Sequence, residues 1–287
     1  MKKIIALAVA AAAMPAMAAV TVSGDLEMRL TSADNKSMSA SYDDSDFAIT
    51  ATSELNNGMV VTGKVAIDDV AGAAGTNADV AGDVEFHIAG AFGKLSLGEV
   101  DSASQMFDEK AEVNPIGVGD AGSNSSSTMQ VTYTLPTLAE GLSVAVSASV
   151  SNASTDTLDD VASSAVGIQY SVAGFTIGAG MDSMGDNNKD KSSFGASYAV
   201  NGFYVGVQSG KNNTAGEDDF RAMGASYTMG NLTLGAESYD DGSVADSGST
   251  SFAAKYNLGG GAAVYVDLVN KDVANSDSTV VGLTYAF

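Results

Sequence analysis

The chain has 287 residues, no Cys, a single His and a formal net charge of −22. That sign excludes nucleic-acid binding through phosphates, and the missing Cys excludes a disulfide framework. A hydrophobic content of 45% excludes a disordered chain, and one His without Cys leaves no ligand set for zinc.

The first predicted element is not part of the fold. Lys2-Lys3 form a basic start, Ile4 to Ala13 an apolar run, and Ala16-Met17-Ala18 a small-x-small cleavage site. Residues 1–18 therefore read as a secretory signal peptide, and 19–287 as one barrel domain. Removing Lys2 and Lys3 takes the net charge from −22 to −24. No later segment is apolar for long enough to cross a bilayer as a helix.

From there the chain alternates with period two almost to its end. In Val20-Thr21-Val22-Ser23-Gly24-Asp25-Leu26-Glu27-Met28-Arg29-Leu30 every second residue is apolar or Gly. The same pattern predicts sixteen strands, at 20–30, 46–55, 59–68, 83–92, 94–100, 127–135, 141–151, 163–172, 174–182, 192–200, 202–210, 220–229, 231–239, 250–258, 261–270 and 278–287. Short turns rich in Gly and Asn, such as Asn56-Asn57-Gly58, Asn201 and Gly259-Gly260, alternate with longer polar connections. The even strand count brings the two chain ends together, so that the first and last strands can pair.

Six of these strands end in a tyrosine followed by a small or polar and then an apolar residue: Tyr133, Tyr170, Tyr198, Tyr227, Tyr256 and Tyr285. A turn follows each of the first five. Rings at one height match a membrane–water boundary. The predicted fold is all-β: a closed antiparallel transmembrane β-barrel of 16 strands, with short periplasmic turns and longer extracellular loops. Eight strands would fill their own interior, whereas sixteen leave an aqueous bore.

The order of several motifs carries a family resemblance. Gly90-Ala91-Phe92-Gly93-Lys94-Leu95-Ser96-Leu97-Gly98, followed by a long connection, resembles the segment leading into the pore loop of Gram-negative general porins. The opening Val-Ser-Gly-Asp strand and the final Val281-Gly282-Leu283-Thr284-Tyr285-Ala286-Phe287 are similar to the ends of the alphaproteobacterial type. The resemblance implies a homotrimer in the cell outer membrane, in contact with lipid and lipopolysaccharide. It also implies that Phe287 is part of a signal read by the outer-membrane assembly machinery.

The long connection 101–127 carries Asp101, Asp108, Glu109, Glu112 and Asp120 against Lys110. By residues alone it fits an acidic surface loop as well as anything else; the resemblance implies a loop folded into the pore that narrows it. The residues interleaved with the apolar set would line the bore: Asp25, Glu27, Arg29, Glu54, Lys64, Glu85 and His87 on the wall, with Glu237, Lys255 and Asp267 further round. The family often places arginines where this chain has Ala48, Glu85 and Ser126, leaving Arg29, Lys64 and His87 as the nearby positive candidates.

The expected function is a passive aqueous channel for ions and small hydrophilic solutes, preferring cations because acids outnumber bases in the bore. A substrate-selective channel is the alternative; it would need an aromatic track along the wall, for which the inward Tyr204 and Tyr265 are too few. A structural or adhesive surface barrel is a third reading. No motif supports catalysis or a cofactor. The acidic clusters Asp43–Asp46, Asp186–Asp190, Glu217–Asp219 and Asp240–Gly242 read as solvated loop tips or as loose divalent-cation sites.

Overall fold

The computed structural model describes residues 18–67, 83–108, 129–150, 161–183, 190–212, 219–240, 248–273 and 276–287. The predicted signal segment therefore lies outside the described residues apart from Ala18, where the first strand begins. Sixteen strands follow one another: β1 (Ala18–Ala33), β2 (Ser39–Glu54), β3 (Val60–Ile67), β4 (Val84–Gly90), β5 (Gly93–Gly98), β6 (Gln130–Thr134), β7 (Leu142–Val150) and β8 (Val161–Val172). The second half comprises β9 (Phe175–Ser183), β10 (Lys191–Val200), β11 (Phe203–Asn212), β12 (Phe220–Met229), β13 (Leu232–Asp240), β14 (Gly248–Gly259), β15 (Ala262–Lys271) and β16 (Ser278–Ala286). A short helix, α1 (Gln105–Asp108), interrupts the connection from β5 to β6.

Each strand pairs antiparallel with its chain neighbours, and β1 pairs with β16 to close the barrel. At the seam the register runs from Asp25 opposite Ala286 to Ala33 opposite Ser278. Below it, Gly24 and Phe287 exchange backbone bonds of 3.1 and 2.9 Å. The ring of Phe287 fills the space that a side chain on Gly24 would need. Closure leaves no unpaired edge, which is the condition for a sheet to sit in hydrocarbon.

The two faces of the sheet are inverted relative to a soluble protein. On β15, Val264, Val266 and Leu268 face outward and are exposed, while Ala263, Tyr265, Asp267 and Val269 face the interior and are buried. The same holds around the wall, where Phe194, Met223 and Phe252 are each more than half exposed. Leaving such side chains half-wet in water costs about 1 kcal/mol apiece, so a continuous belt of them is a lipid-facing surface.

The tyrosines take their common height from the backbone. The residue after each of five tyrosines donates its N–H to the turn of the preceding hairpin: Ser171 to Gly141, Ala199 to Gly174, Thr228 to Gly202, Asn257 to Asn231 and Ala286 to Gly261, all at 2.8–2.9 Å. Each tyrosine sits opposite apolar residues on both neighbouring strands, as Tyr198 does between Phe175 and Val205. Its ring stacks on Phe175 with centroids 4.1 Å apart. The six predicted boundary tyrosines thus lie on the outward face at the short-turn end.

One predicted loop is strand instead. The acidic cluster Asp43–Asp46 falls within β2, because β1 and β2 run on well past their predicted ends as one long hairpin. A register shift between Asp25 and Glu27 absorbs one extra residue of β2 there and leaves Ser45 buried.

The turn at Gly260-Gly261 shows how tightly the short-turn end is built. Gly261 has φ of 88°, and a Cβ there would overlap the carbonyl oxygen of Ala286 on the closing strand. Gly261→Val is expected to destabilise the barrel by about 1–3 kcal/mol. Urea unfolding of the detergent-folded protein, followed by tryptic protection, measures the loss.

Candidate functional site

The interior wall is built from alternate residues whose partners are set by strand register. Lys64 on β3 faces Glu85 on β4, and His87 on β4 lies between Thr62 and Ser96. Lys64 Nζ donates to Glu85 Oε1 at 2.6 Å. His87 Nε2 lies 3.0 Å from Glu85 Oε2, and its Nδ1 lies 2.9 Å from Ser96 Oγ. Lys64, Glu85, His87 and Ser96 thus form one chain of contacts across three strands. His87 is a tethered wall residue.

A second cluster straddles the seam. Arg29 Nε donates to Glu27 Oε1 and, at 2.9 Å, to the hydroxyl of Tyr265. The Tyr265 hydroxyl in turn donates to Glu27 Oε1. Glu27 is nearly buried and Arg29 half-buried, although both face the bore. Ser, Thr, Gly and Ala fill most of the other inward positions, and Gln130, Gln208, Glu237, Ser251 and Asp267 lie buried against the wall.

The connection after β5 turns into the barrel. Thr132 Oγ1 on β6 donates to the carbonyl of Asp101 at 2.9 Å, and Ser147 Oγ on β7 accepts from Ala103 N at 2.9 Å. Ser104 Oγ lies 2.7 Å from both carboxylate oxygens of Asp182 on β9. Ala103 and Ala145 are fully buried against each other, with Met106 and Ala165 packed beside them. Each contact falls on an inward residue of the wall, so residues 101–106 run along the inner face of the barrel from β6 to β9. The α1 helix then lies against β8, β9 and β10.

Small residues on the wall make this approach possible. A Cβ on Gly180 would stand 2.6 Å from Ser104 Cβ, inside any tolerated contact. Between the loop start and β3–β6 remains a polar cavity of about 290 Å³, lined among others by Lys64, Glu85, His87, Lys94, Glu99 and Asp101.

The predicted site residues sort unevenly. Asp25, Glu27, Arg29, Lys64, Glu85 and His87 all lie on the inward face. Glu54 shares their face but sits exposed at the short-turn rim. Asp101 is exposed at the loop start and Asp108 closes α1. Glu109, Glu112 and Asp120 lie outside the described residues, as do the acidic clusters 186–189, 217–218 and 241–242. Among the described residues no group of His and carboxylates could hold a metal ion.

Sequence reasoning missed Lys94, Asp182 and Ser104. Lys94 and Asp182 share the parity of Ser96 and Gly180 and could have been counted inward on that ground. Ser104 has no periodic signal, because it is placed by tertiary contacts.

The anchorage predicts a measurable cost. Asp182→Ala removes a charge-assisted bond worth about 1.5–3 kcal/mol, and Gly180→Val overpacks the same point by about 1–3 kcal/mol. Either substitution should leave strand content unchanged by circular dichroism and expose the 101–128 connection to limited proteolysis. Unchanged resistance in both variants would show that the anchorage is not what holds the loop.

Comparison with known proteins fits this geometry. The family of Gram-negative porins matches residues 6–276 of the chain. Among solved structures, a five-substitution variant of Rhodopseudomonas blastica porin superposes with a TM-score of 0.72 at 17% identity, covering 94% of this chain and 100% of that one. A triple mutant of the same porin gives 0.73 at 18% identity over the same shares. No protein of curated function matches the sequence. Family and fold imply a channel rather than an enzyme, one that passes solutes passively across the outer membrane. The chain belongs to the Gram-negative porin family.

Proposed function

We propose that this porin is a cation-preferring channel for ions and small hydrophilic solutes, narrowed by the connection that starts at Asp101. One observation carries the reading: the positive wall residues expected to oppose the loop are matched by acids. Arg29 is held by Glu27, and both Lys64 and His87 contact Glu85. Lys94 shares its cavity with Glu99 and Asp101. Paired charges contribute little field beyond their own neighbourhood, so the exposed carboxylate of Asp101 and the remaining acids set the potential. Cations then concentrate at the waist and anions are repelled.

The acids Asp108, Glu109, Glu112 and Asp120 extend that loop and would add to the same field. Residues 1–18 would be removed on export. Phe287, which closes the seam against Gly24, would also present the C-terminal strand to the assembly machinery.

A homotrimer would be built on the low side of the barrel. Among the described residues the four strands β3 to β6 have 8, 7, 6 and 5 residues, against 9 to 16 elsewhere. A hydrocarbon layer of fixed thickness is poorly matched by so low a wall, and neighbouring subunits would cover it. Outward Gly63 and Ala51 on β3 and β2 leave room for close packing. Gly24 does not, because Phe287 occupies that space. Phe86 lies on the outward face of β4 and is 41% exposed.

Two measurements test these readings. In planar bilayers under a salt gradient, the wild-type reversal potential should show cation preference, and Asp101→Asn should lower the cation-to-anion permeability ratio by about two-fold. Anion preference in the wild type would refute the selectivity reading. For assembly, Phe86→Glu should convert the trimeric band on semi-native electrophoresis to a folded monomer. A persistent trimer would place the interface elsewhere.

A further inference from the structure

Tyr265 faces a bore yet is only 4% exposed, and its polar partners both lie on β1, two strands away. Register explains how. Tyr265 on β15 lies opposite Gly282 on β16, which lies opposite Arg29 on β1. The outer two strands of such a row are about 9–10 Å apart. A tyrosine standing upright on the wall would not bridge that distance. Gly282 has no side chain, and a Cβ there would overlap the Tyr265 ring. The ring therefore lies flat across β16 and delivers its hydroxyl to β1, where it meets Arg29 Nε and Glu27 Oε1 together.

We infer that Tyr265, through the gap at Gly282, is the positioning residue that keeps Arg29 tied to the wall beside Glu27 and out of the permeation path. The consequence for selectivity rests on the channel reading above. Arginine is the longest side chain in this cluster, and released from the hydroxyl it would reach further into the lumen than Glu27. A freed guanidinium opposes cation passage, so holding it down favours cations. Tyr265 thus acts on permeation through another residue. It is a fixture of the seam and not part of an aromatic track along the wall.

The test exploits the chain's two arginines, Arg29 and Arg221. Arg221 lies exposed on the outward end of β12 and serves as the internal reference. Phenylglyoxal labelling of the folded wild type, read by peptide mass spectrometry, should modify Arg221 roughly tenfold faster than Arg29. Tyr265→Phe and Gly282→Ala should each raise the Arg29 rate towards that of Arg221. In bilayers both should lower the cation-to-anion permeability ratio by about two-fold. Adding Arg29→Gln to Tyr265→Phe should abolish that fall, which a loss of barrel stability alone would not do.

Equal labelling of the two arginines in the wild type overturns the proposal without any variant being needed. So does an unchanged reversal potential in channels formed by either variant. Folded wild type that protects Arg29 but conducts nothing would instead overturn the channel reading and, with it, the effect on selectivity.

Discussion

The closed backbone ladder is the constraint on which the rest of this molecule depends. In hydrocarbon an unpaired N–H or C=O has no water to turn to, so a sheet can enter only without edges. Pairing β1 with β16 removes the last edge. Once the ring is closed, side-chain alternation has only two destinations, lipid and lumen. The apolar half of each strand is stabilised outside, and the polar half is released from any need to pack a core. That release explains a composition rich in Ser, Gly, Thr and Ala with few large inward residues. It also explains how the chain holds a fold without Cys.

The same ladder explains the repeat of tyrosines. A short turn leaves a carbonyl pointing at the next strand, and that strand answers with the N–H of the residue after its tyrosine. Ring height is therefore a by-product of hairpin stacking, repeated from Tyr170 to Tyr285. Earlier in the chain the pattern fails: Tyr133 on β6 keeps its ring on the outward face without that bond, and β1 to β5 end in no such tyrosine, whether tall like β1 and β2 or short like β3 to β5.

Most of the architecture was legible in the sequence because a lipid-facing strand carries its signal in every second residue. Strand count, closure, the inward parity of Lys64, Glu85 and His87, and the position of the long connection all follow from period two. What was illegible has a common physical cause. The bulge that carries Asp43–Asp46 into β2 breaks the period, so those residues resembled a loop. Ser104 and Gly180 meet only in three dimensions, across 76 positions of chain that no local pattern relates. Charge parity alone also said nothing about pairing: Arg29 and Lys64 read as free cations, and the structure gives each a carboxylate partner.

That pairing has a physical logic of its own. A positive side chain facing water on a strongly acidic protein would attract the nearest carboxylate in any case. The register determines which one it finds and where the pair lies. Glu85 stands one strand from Lys64 and two residues from His87, so one acid restrains two bases on the wall. Across the seam the distances are longer, and a flat tyrosine over a glycine closes the gap. The two clusters solve one problem with different means: each ties its positive charge to a carboxylate on the wall. On the proposed reading, an acidic loop start facing such walls meets Lys94 but little other opposing charge. On that reading the local field is set more by how the bases are restrained than by how many the chain contains.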